Sequence, residues 1–440
     1  MKFLNFFCLY LLFSNSALKC SQVINMLNRD YYISKLEQSY ENQFIKILVG
    51  PRGTGKTTIF SQLMQNLKIK GLADDFHIIY INFEFFENEK YRNKDVLNAY
   101  LRKKIIDDKN YFIFLDEIHC VDQFEQTIID LNYAFFNINI LISSSNSRLL
   151  PEDLNSCIHG MYKFFYVTPL SYSESCQLLN SEPKNKNMLF NYLKYGSFPN
   201  RFDCRKVSEV KKLLYSLLDS ICLRDIVLRL GLNDVEDMFN VLKYIVKHLG
   251  NDISMLQLQK EVVEENELMP DYRFQNALDS LNRSLIIRGV KGYDVNYDKE
   301  LRTTHRYYLG DLGISFLYNF DFQNNLNLVL KNWVWLELKR RNYTIYTGVN
   351  DGKTFDFVAI KNRKIMYIQV VDELKDGNTV NLEVEKLNGF DAPNPRYLLS
   401  LDTSNYSRKG VIHKNIITFI LEDLDKLDAD DSIPNWVGVE

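Results

Sequence analysis

Apolar residues gather in short runs along the first part of the chain. Phe44–Val49, His77–Phe83, Tyr111–Asp116, Ile138–Ser143 and Lys163–Val167 each read as strands; Tyr111–Leu115 in particular has the uninterrupted apolar character of a strand covered on both faces. Thr58–Leu67 reads as a helix, and helix-like stretches separate the next three strands. The pattern therefore predicts a mostly parallel α/β sheet. Between residues 170 and 250 the apolar spacing becomes helical. Leu256–Glu264 and Pro270–Leu285 look like two helices joined by a short turn, and Ile286–Tyr308 suits a β-wing. That order resembles a winged helix. Further on, Asn332–Leu338 is helix-like, and Thr354–Val358 and Tyr367–Val371 are strand-like.

The first strand runs into Gly50-Pro51-Arg52-Gly53-Thr54-Gly55-Lys56-Thr57-Thr58, and a helix follows at once. Strand, glycine-rich loop and helix form the context of a P-loop. Gly50, Gly53 and Gly55 let the backbone curl so that N–H groups face phosphate oxygens. The helix N-terminus adds its positive end. Lys56 is expected to reach the β- and γ-phosphates, and Thr57 to place its hydroxyl on Mg²⁺. The apolar run Tyr111–Leu115 ends in Asp116-Glu117, at the strand end where open α/β sheets bind ligands. Asp116 would hold Mg²⁺, mostly through water. Glu117 would polarise the attacking water as a general base. The next strand ends in Ser143-Ser144-Ser145-Asn146-Ser147-Arg148, where Ser145 or Asn146 is placed to sense the γ-phosphate. The cofactors so implied are ATP and Mg²⁺.

Later motifs narrow the reading. Ser143–Leu150 resembles a "TGSNSRLL" stretch, Thr168–Glu174 a "PLSFxE", Tyr195–Pro199 a "GGFP" and Arg224-Asp225-Ile226 a "KDI". Together they resemble the prokaryotic AAA-like ATPase family with a C-terminal domain of unknown function, from about Leu27 to about Asp423. The resemblance implies an AAA-like P-loop ATPase core at 26–169, a helical lid at 170–235, a winged-helix-like domain at 236–318 and a restriction-endonuclease-like α/β domain at 319–440. Two positions depart from the family. Met161 follows Gly160 where the family has arginine, and His119 stands where it often has glutamine. A finger-like cation would then have to come from Lys163, Arg148 or Arg224. In the last domain, Glu337, Asp356 and Gln369 take the places of a nuclease-type metal site. Gln369-Val370-Val371 replaces Glu-x-Lys there, so one carboxylate and the lysine are gone. A neutral amide oxygen is a weaker ligand for a hard cation, and nuclease activity is not expected.

Composition limits the partners. The 440 residues are 46% hydrophobic and 25% charged, enough for two or three domains, with a formal net charge of −3. Without a general basic coat, nucleic-acid contact would need a local patch. Arg273, Arg283, Arg288 and Lys291 form one candidate, interrupted by Asp271, Asp279, Asp294 and Asp298. A winged helix used for protein contacts, or as a spacer, fits the same residues. DNA, a protein or a second copy of the chain are the partners left open. The cysteines at 8, 20, 120, 157, 176, 204 and 222 form no CxxC pair, which argues against zinc or a disulfide framework.

The leader needs its own reading. Lys2, the apolar run Phe3–Phe13 and Ser14–Ala17 resemble a secretory signal peptide, and the run is too short to span a membrane. A nucleotide-dependent ATPase outside the cell would have no ATP. Residues 1–25 are therefore read as a start-site artefact with Met26 as the true start, and the protein as cytoplasmic; secretion is the alternative.

The function expected is an ATP-binding protein, an Mg-dependent ATPase acting as a conformational switch. The alternative is an ATP-regulated DNA-binding or nucleic-acid-processing protein with a degenerate nuclease-like domain.

Overall fold

A computed structural model describes residues 27–151, 160–221, 235–265, 269–390 and 393–429. The leader and Arg224-Asp225-Ile226 lie outside them. The chain forms two sheets. The first has five strands, β1 (Ile45–Val49), β2 (Ile78–Asn82), β3 (Tyr111–Asp116), β4 (Ile138–Ser144) and β5 (Tyr162–Tyr166), in the order β2-β3-β4-β1-β5. Every neighbouring pair is parallel. Helices α1 (Asp30–Glu37), α2 (Lys56–Ile69), α3 (Lys94–Lys104) and α4 (Phe124–Ala134) cover it.

The uninterrupted apolar runs now have their cause. Ile47, Ile113, Ile140 and Ile142 pack into one core. Leu48, Phe112, Phe114 and Leu141 pack into another on the opposite face. Successive strand residues point to opposite faces, so a strand covered on both sides has no polar position to alternate with.

Helices α5 (Tyr172–Leu178), α6 (Lys186–Tyr195), α7 (Val207–Ile221), α8 (Val235–Lys247), α9 (Met255–Glu265) and α10 (Asp271–Arg283) follow. The second sheet is mixed and seven-stranded, and its N-terminal edge is a hairpin. That hairpin consists of β6 (Ile287–Asp294) and β7 (Lys299–Leu309). A short helix α11 (Gly313–Leu317) and the long α12 (Leu326–Arg340) come next. The remaining strands are β8 (Thr344–Asn350), β9 (Lys353–Lys361), β10 (Lys364–Val370), β11 (Arg396–Ser400) and β12 (Val411–Asn415), with α13 (Gly377–Leu387) between β10 and β11. The strand order is β12-β11-β10-β9-β8-β6-β7. The hairpin read from sequence as a wing is thus hydrogen-bonded into the same sheet as β8 to β12, through a short parallel pairing of β6 with β8.

Helix α12 is apolar nearly all round because it is buried nearly all round. Trp333, Val334, Trp335, Leu336 and Leu338 share a core with Met366 and Ile368 of β10 and with Tyr192 of α6.

Buried charge ties the two halves together. Arg29, just before α1, donates to the Thr54 carbonyl of the glycine-rich loop at 2.7 Å and to the Thr168 carbonyl at 3.0 Å. It also pairs with Glu174 of α5 at 2.9 Å. The other Glu174 oxygen pairs with Arg340 of α12 at 3.0 Å. Glu174 completes a capping box with Ser171, a signal the spacing Ser171-x-x-Glu174 carries in sequence. Burial works to raise the Glu174 pKa, but Arg29 and Arg340 hold it down at about 2.

Candidate functional site

The glycine-rich loop leaves β1 and ends at the N-terminus of α2. Gly53 and Gly55 have φ of 83° and 93°, in the left-handed region where a side chain is strained. Gly50 is required by close approach: a Cβ there would lie 1.9 Å from the Val167 carbonyl oxygen. The rest of the loop is gripped from outside. Thr54 Oγ1 donates to the Pro51 carbonyl at 2.9 Å. Arg52 makes a two-pronged pair with Glu84, both contacts at 2.6 Å.

Lys56 is buried and donates to the Gly50 and Pro51 carbonyls at 2.9 and 3.2 Å. Its Nζ lies 3.5 Å from Glu117. Thr57 Oγ1 donates to Asp116 at 2.7 Å. The same Asp116 oxygen accepts from the Tyr80 hydroxyl at 3.1 Å and the Asn82 amide at 3.0 Å. The other oxygen accepts from the Ser143 hydroxyl. Burial, and then the neighbouring Glu117 charge, push the Asp116 pKa up.

Glu117 directly follows β3 with φ of 57°, an unusual conformation for a non-glycine residue. Its carboxylate faces Lys56 at 3.5 Å and His119 Nδ1 at 3.2 Å, and accepts from the Ser145 backbone N–H at 2.7 Å. Burial alone would raise its pKa, but Lys56, His119 and Ser145 bring it down to about 2.

The loop, Lys56, Thr57, Asp116 and Glu117 therefore meet at one place. Ser145 also reaches it, through its backbone. Asn146 does not present its side chain in the same way: its oxygen caps the following turn by accepting from Arg148 N at 3.0 Å, while its own N–H donates to Ser144 Oγ at 2.9 Å. Thr58 lies one residue further along α2 and is half-buried.

Three residues at the loop carried no local signal. A Cβ on Gly53 would lie 3.2 Å from Leu217 of α7 and 3.7 Å from Phe198, and one on Gly310 would lie 3.1 Å from Pro51. Segments from beyond the parallel sheet, one of them helix α7, thus pack on the loop. Next to Phe198, Gly196 has φ of 73°, and a Cβ there would collide with Asp311 at 1.9 Å. Asp311 accepts from the Ser197 and Gly313 N–H groups, both at 2.8 Å. Burial pushes its pKa up to about 6.

The second set of expected residues is not assembled as the sequence suggested. Asp356 and Gln369 are adjacent: Asp356 N donates to Gln369 Oε1 at 3.1 Å, and Gln369 Nε2 donates to Glu383 at 2.8 Å. Asp356 is itself occupied by Arg306, by Lys331 at 2.8 Å and by Val370 N at 2.8 Å. Glu337 goes elsewhere. It pairs with Arg341 at 2.8 Å and lies 3.6 Å from Arg340. The reason is helical geometry. Six residues separate Lys331, which faces Asp356, from Glu337; that is about 9 Å along the axis and about 120° round it. Among the described residues, no three acidic, histidine or cysteine side chains converge as a metal cage.

The parallel sheet, its glycine-rich loop and the Asp-Glu strand end define the class: a P-loop NTPase domain of AAA type, followed by helices and a second, mixed sheet. More particularly, residues 42–176 match the family model described as "AAA domain", and residues 186–320 match that of a "Domain of unknown function (DUF8612)". An uncharacterized protein of Haemophilus influenzae is 28% identical over 356 residues, covering 80% of this chain and 88% of its own. One from Methanocaldococcus jannaschii is 25% identical, covering 95% of this chain and 92% of its own. Among solved structures, a Walker-type ATPase of Pyrococcus abyssi aligns at 14% identity with a TM-score of 0.47, over 69% of this chain and 99% of that one. AMPPCP-bound DnaA from Aquifex aeolicus aligns at 12% identity with a TM-score of 0.30, over 58% of this chain and 92% of that one. Among the described residues, no helix is long and apolar enough to cross a membrane.

Proposed function

We propose that the chain binds ATP with Mg²⁺ at Gly50–Thr58 and hydrolyses it to ADP and phosphate. The observation that carries this is the convergence of Lys56, Thr57, Asp116 and Glu117, with Thr57 Oγ1 on Asp116 at 2.7 Å. Two adjacent buried carboxylates face one buried lysine here. That surplus of negative charge, on hard oxygen donors, suits a divalent cation. Thr57 and Asp116 would hold it, and when bound it supplies positive charge to the phosphate oxygens.

The protein's own groups do the rest. Backbone N–H groups of the loop and the first turn of α2 receive the phosphates. Lys56 exchanges Glu117 for phosphate oxygens as its counter-charge. That exchange removes a main influence holding the Glu117 pKa near 2. The carboxylate becomes a better base when substrate is present, which suits a residue that orients and deprotonates water. Ser145 N–H fixes the direction of that carboxylate.

Turnover is read as a switch, because Phe198, Leu217 and Gly310 pack on the loop and would respond to its rearrangement. Helices α9 and α10 followed by the β6–β7 hairpin keep the order of a winged helix. The Asp356–Gln369 pair is read as a remnant of a nuclease-like fold without metal chemistry. Phosphate release measured on the full chain tests the main reading. Lys56→Ala should abolish it and weaken ATP binding; equal ATP affinity in the two proteins sinks the proposal.

A further inference from the structure

His119 stands two residues beyond Glu117, on the one-turn helix Ile118–Cys120. Its side chain has no exposure and that of Glu117 only 9%. Side chains two residues apart do not face each other along a regular helix. The left-handed backbone of Glu117, placed just before the turn, brings these two together. The histidine Nδ1 lies between two oxygens, Glu117 Oε2 at 3.2 Å and Ser144 Oγ at 3.0 Å.

Those two oxygens decide the role of Nδ1. Ser144 Oγ donates to the Asn146 carbonyl at 3.1 Å and accepts from the Asn146 N–H at 2.9 Å. Its single proton is therefore committed. The ionised carboxylate of Glu117 has no proton to offer. Nδ1 thus bears a hydrogen and donates towards both oxygens. Ser144 closes β4, so the ring is braced from the parallel sheet and not from the glycine-rich loop.

The two oxygens of Glu117 are held differently. Oε1 faces Lys56 Nζ at 3.5 Å. Oε2 accepts from the Ser145 N–H at 2.7 Å and faces His119 Nδ1 at 3.2 Å. One donor fixes the place of an oxygen; a second, from another direction, fixes the plane of the carboxylate. When Lys56 turns to phosphate, only Oε1 changes partner. We propose that His119 is a positioning residue for hydrolysis: with the Ser145 N–H it holds Glu117 Oε2, so that Oε1 is aimed at the attacking water. The water oxygen then bonds to the γ-phosphorus, its proton passes to Oε1, and the bond from that phosphorus to the ADP oxygen breaks. This inference rests on the ATPase reading given above.

The test measures single-turnover phosphate release on the full chain, with ATP affinity from equilibrium binding and the melting temperature as a control on folding. His119→Ala should slow release by about 10- to 100-fold, the scale of a misplaced catalytic group, while ATP affinity stays within about threefold of wild type. His119→Asn sets an amide N–H where Nδ1–H stands and should restore most of the rate. His119→Phe fills the space without a donor and should be as slow as His119→Ala. In a Glu117→Gln chain there is no base to position, so adding His119→Ala should cost nothing further. Release by His119→Ala at the wild-type rate overturns the inference and leaves the ATPase reading standing. Equal rates for the Asn and Phe substitutions, or a further loss in the Glu117→Gln chain, also overturn it, because a purely structural histidine gives those results. No release by the wild-type chain sinks the ATPase reading, and this inference with it.

Discussion

Both halves of the molecule bury carboxylates at strand ends and on helices, but they treat the charge in opposite ways. In the mixed-sheet half the two buried acids of the expected nuclease-like set are matched. Asp356 has Arg306 and Lys331, and Glu337 has Arg341 and Arg340. At the end of the parallel sheet, Asp116 and Glu117 share one lysine, Glu117 also faces His119, and hydroxyl, side-chain amide and backbone N–H groups supply the remaining contacts. A matched acid is finished as structure. An unmatched pair, on the reading proposed above, is completed by a cation and by phosphate. Residue type alone does not separate the two cases; the count of opposing charges does.

The largest expected effect breaks the unmatched side. Glu117→Gln should keep ATP binding and lower phosphate release by about 10²- to 10⁴-fold, measured by single-turnover assay against equilibrium binding. A rate within tenfold of wild type would remove Glu117 as the base.

The matched side should respond in stability instead. Asp356→Ala leaves buried Lys331 without its acid and Arg306 with only the partly exposed Asp252, and should cost about 3–5 kcal/mol. Trp333 and Trp335 lie in the same half, so urea unfolding followed by tryptophan fluorescence reports it. Asp116→Asn, by contrast, should leave stability unchanged or raise it. A large loss there would contradict the comparison.

Asp311 sharpens the comparison through pH. It is buried, makes no direct ion pair among the described residues, is held by two N–H groups, and its folded pKa of about 6 lies above the ordinary carboxylate range. An acid with a raised folded pKa contributes most stability below its unfolded pKa, and that contribution is lost as pH rises through the folded value. Stability should therefore decline from about pH 4 to pH 6, and Asp311→Asn should flatten that slope in thermal melts. The smallest effect belongs to the partly exposed Arg52–Glu84 pair. A double-mutant cycle should return no more than about 1 kcal/mol.

Much of the nucleotide half was legible because its signals are local. A glycine-rich loop between a strand and a helix, and an apolar run ending in two acids, are contiguous in sequence. The strands Tyr111–Asp116 and Ile138–Ser144 follow the apolar runs closely. What was not legible depends on distant segments. Nothing near Gly53 announces Leu217, and nothing near Glu337 says that its charge is taken by Arg341, since helix and strand spacing locate a residue without naming its partner. The β6–β7 hairpin was visible as a hairpin. Its membership of the same sheet as β12 was not, because strand neighbours far apart in sequence leave no periodic trace.

The Arg29–Glu174–Arg340 chain has a consequence for anyone who would divide this protein. A cut after residue 169 looks natural on paper, since the parallel sheet ends there. It would leave a guanidinium on the Thr54 carbonyl with its acid removed, and strip Glu174 from both of its cations in a single stroke. The fragment most tempting to express alone would carry its defect directly behind the loop it was made to study, so a feeble fragment would say more about the scissors than about the protein.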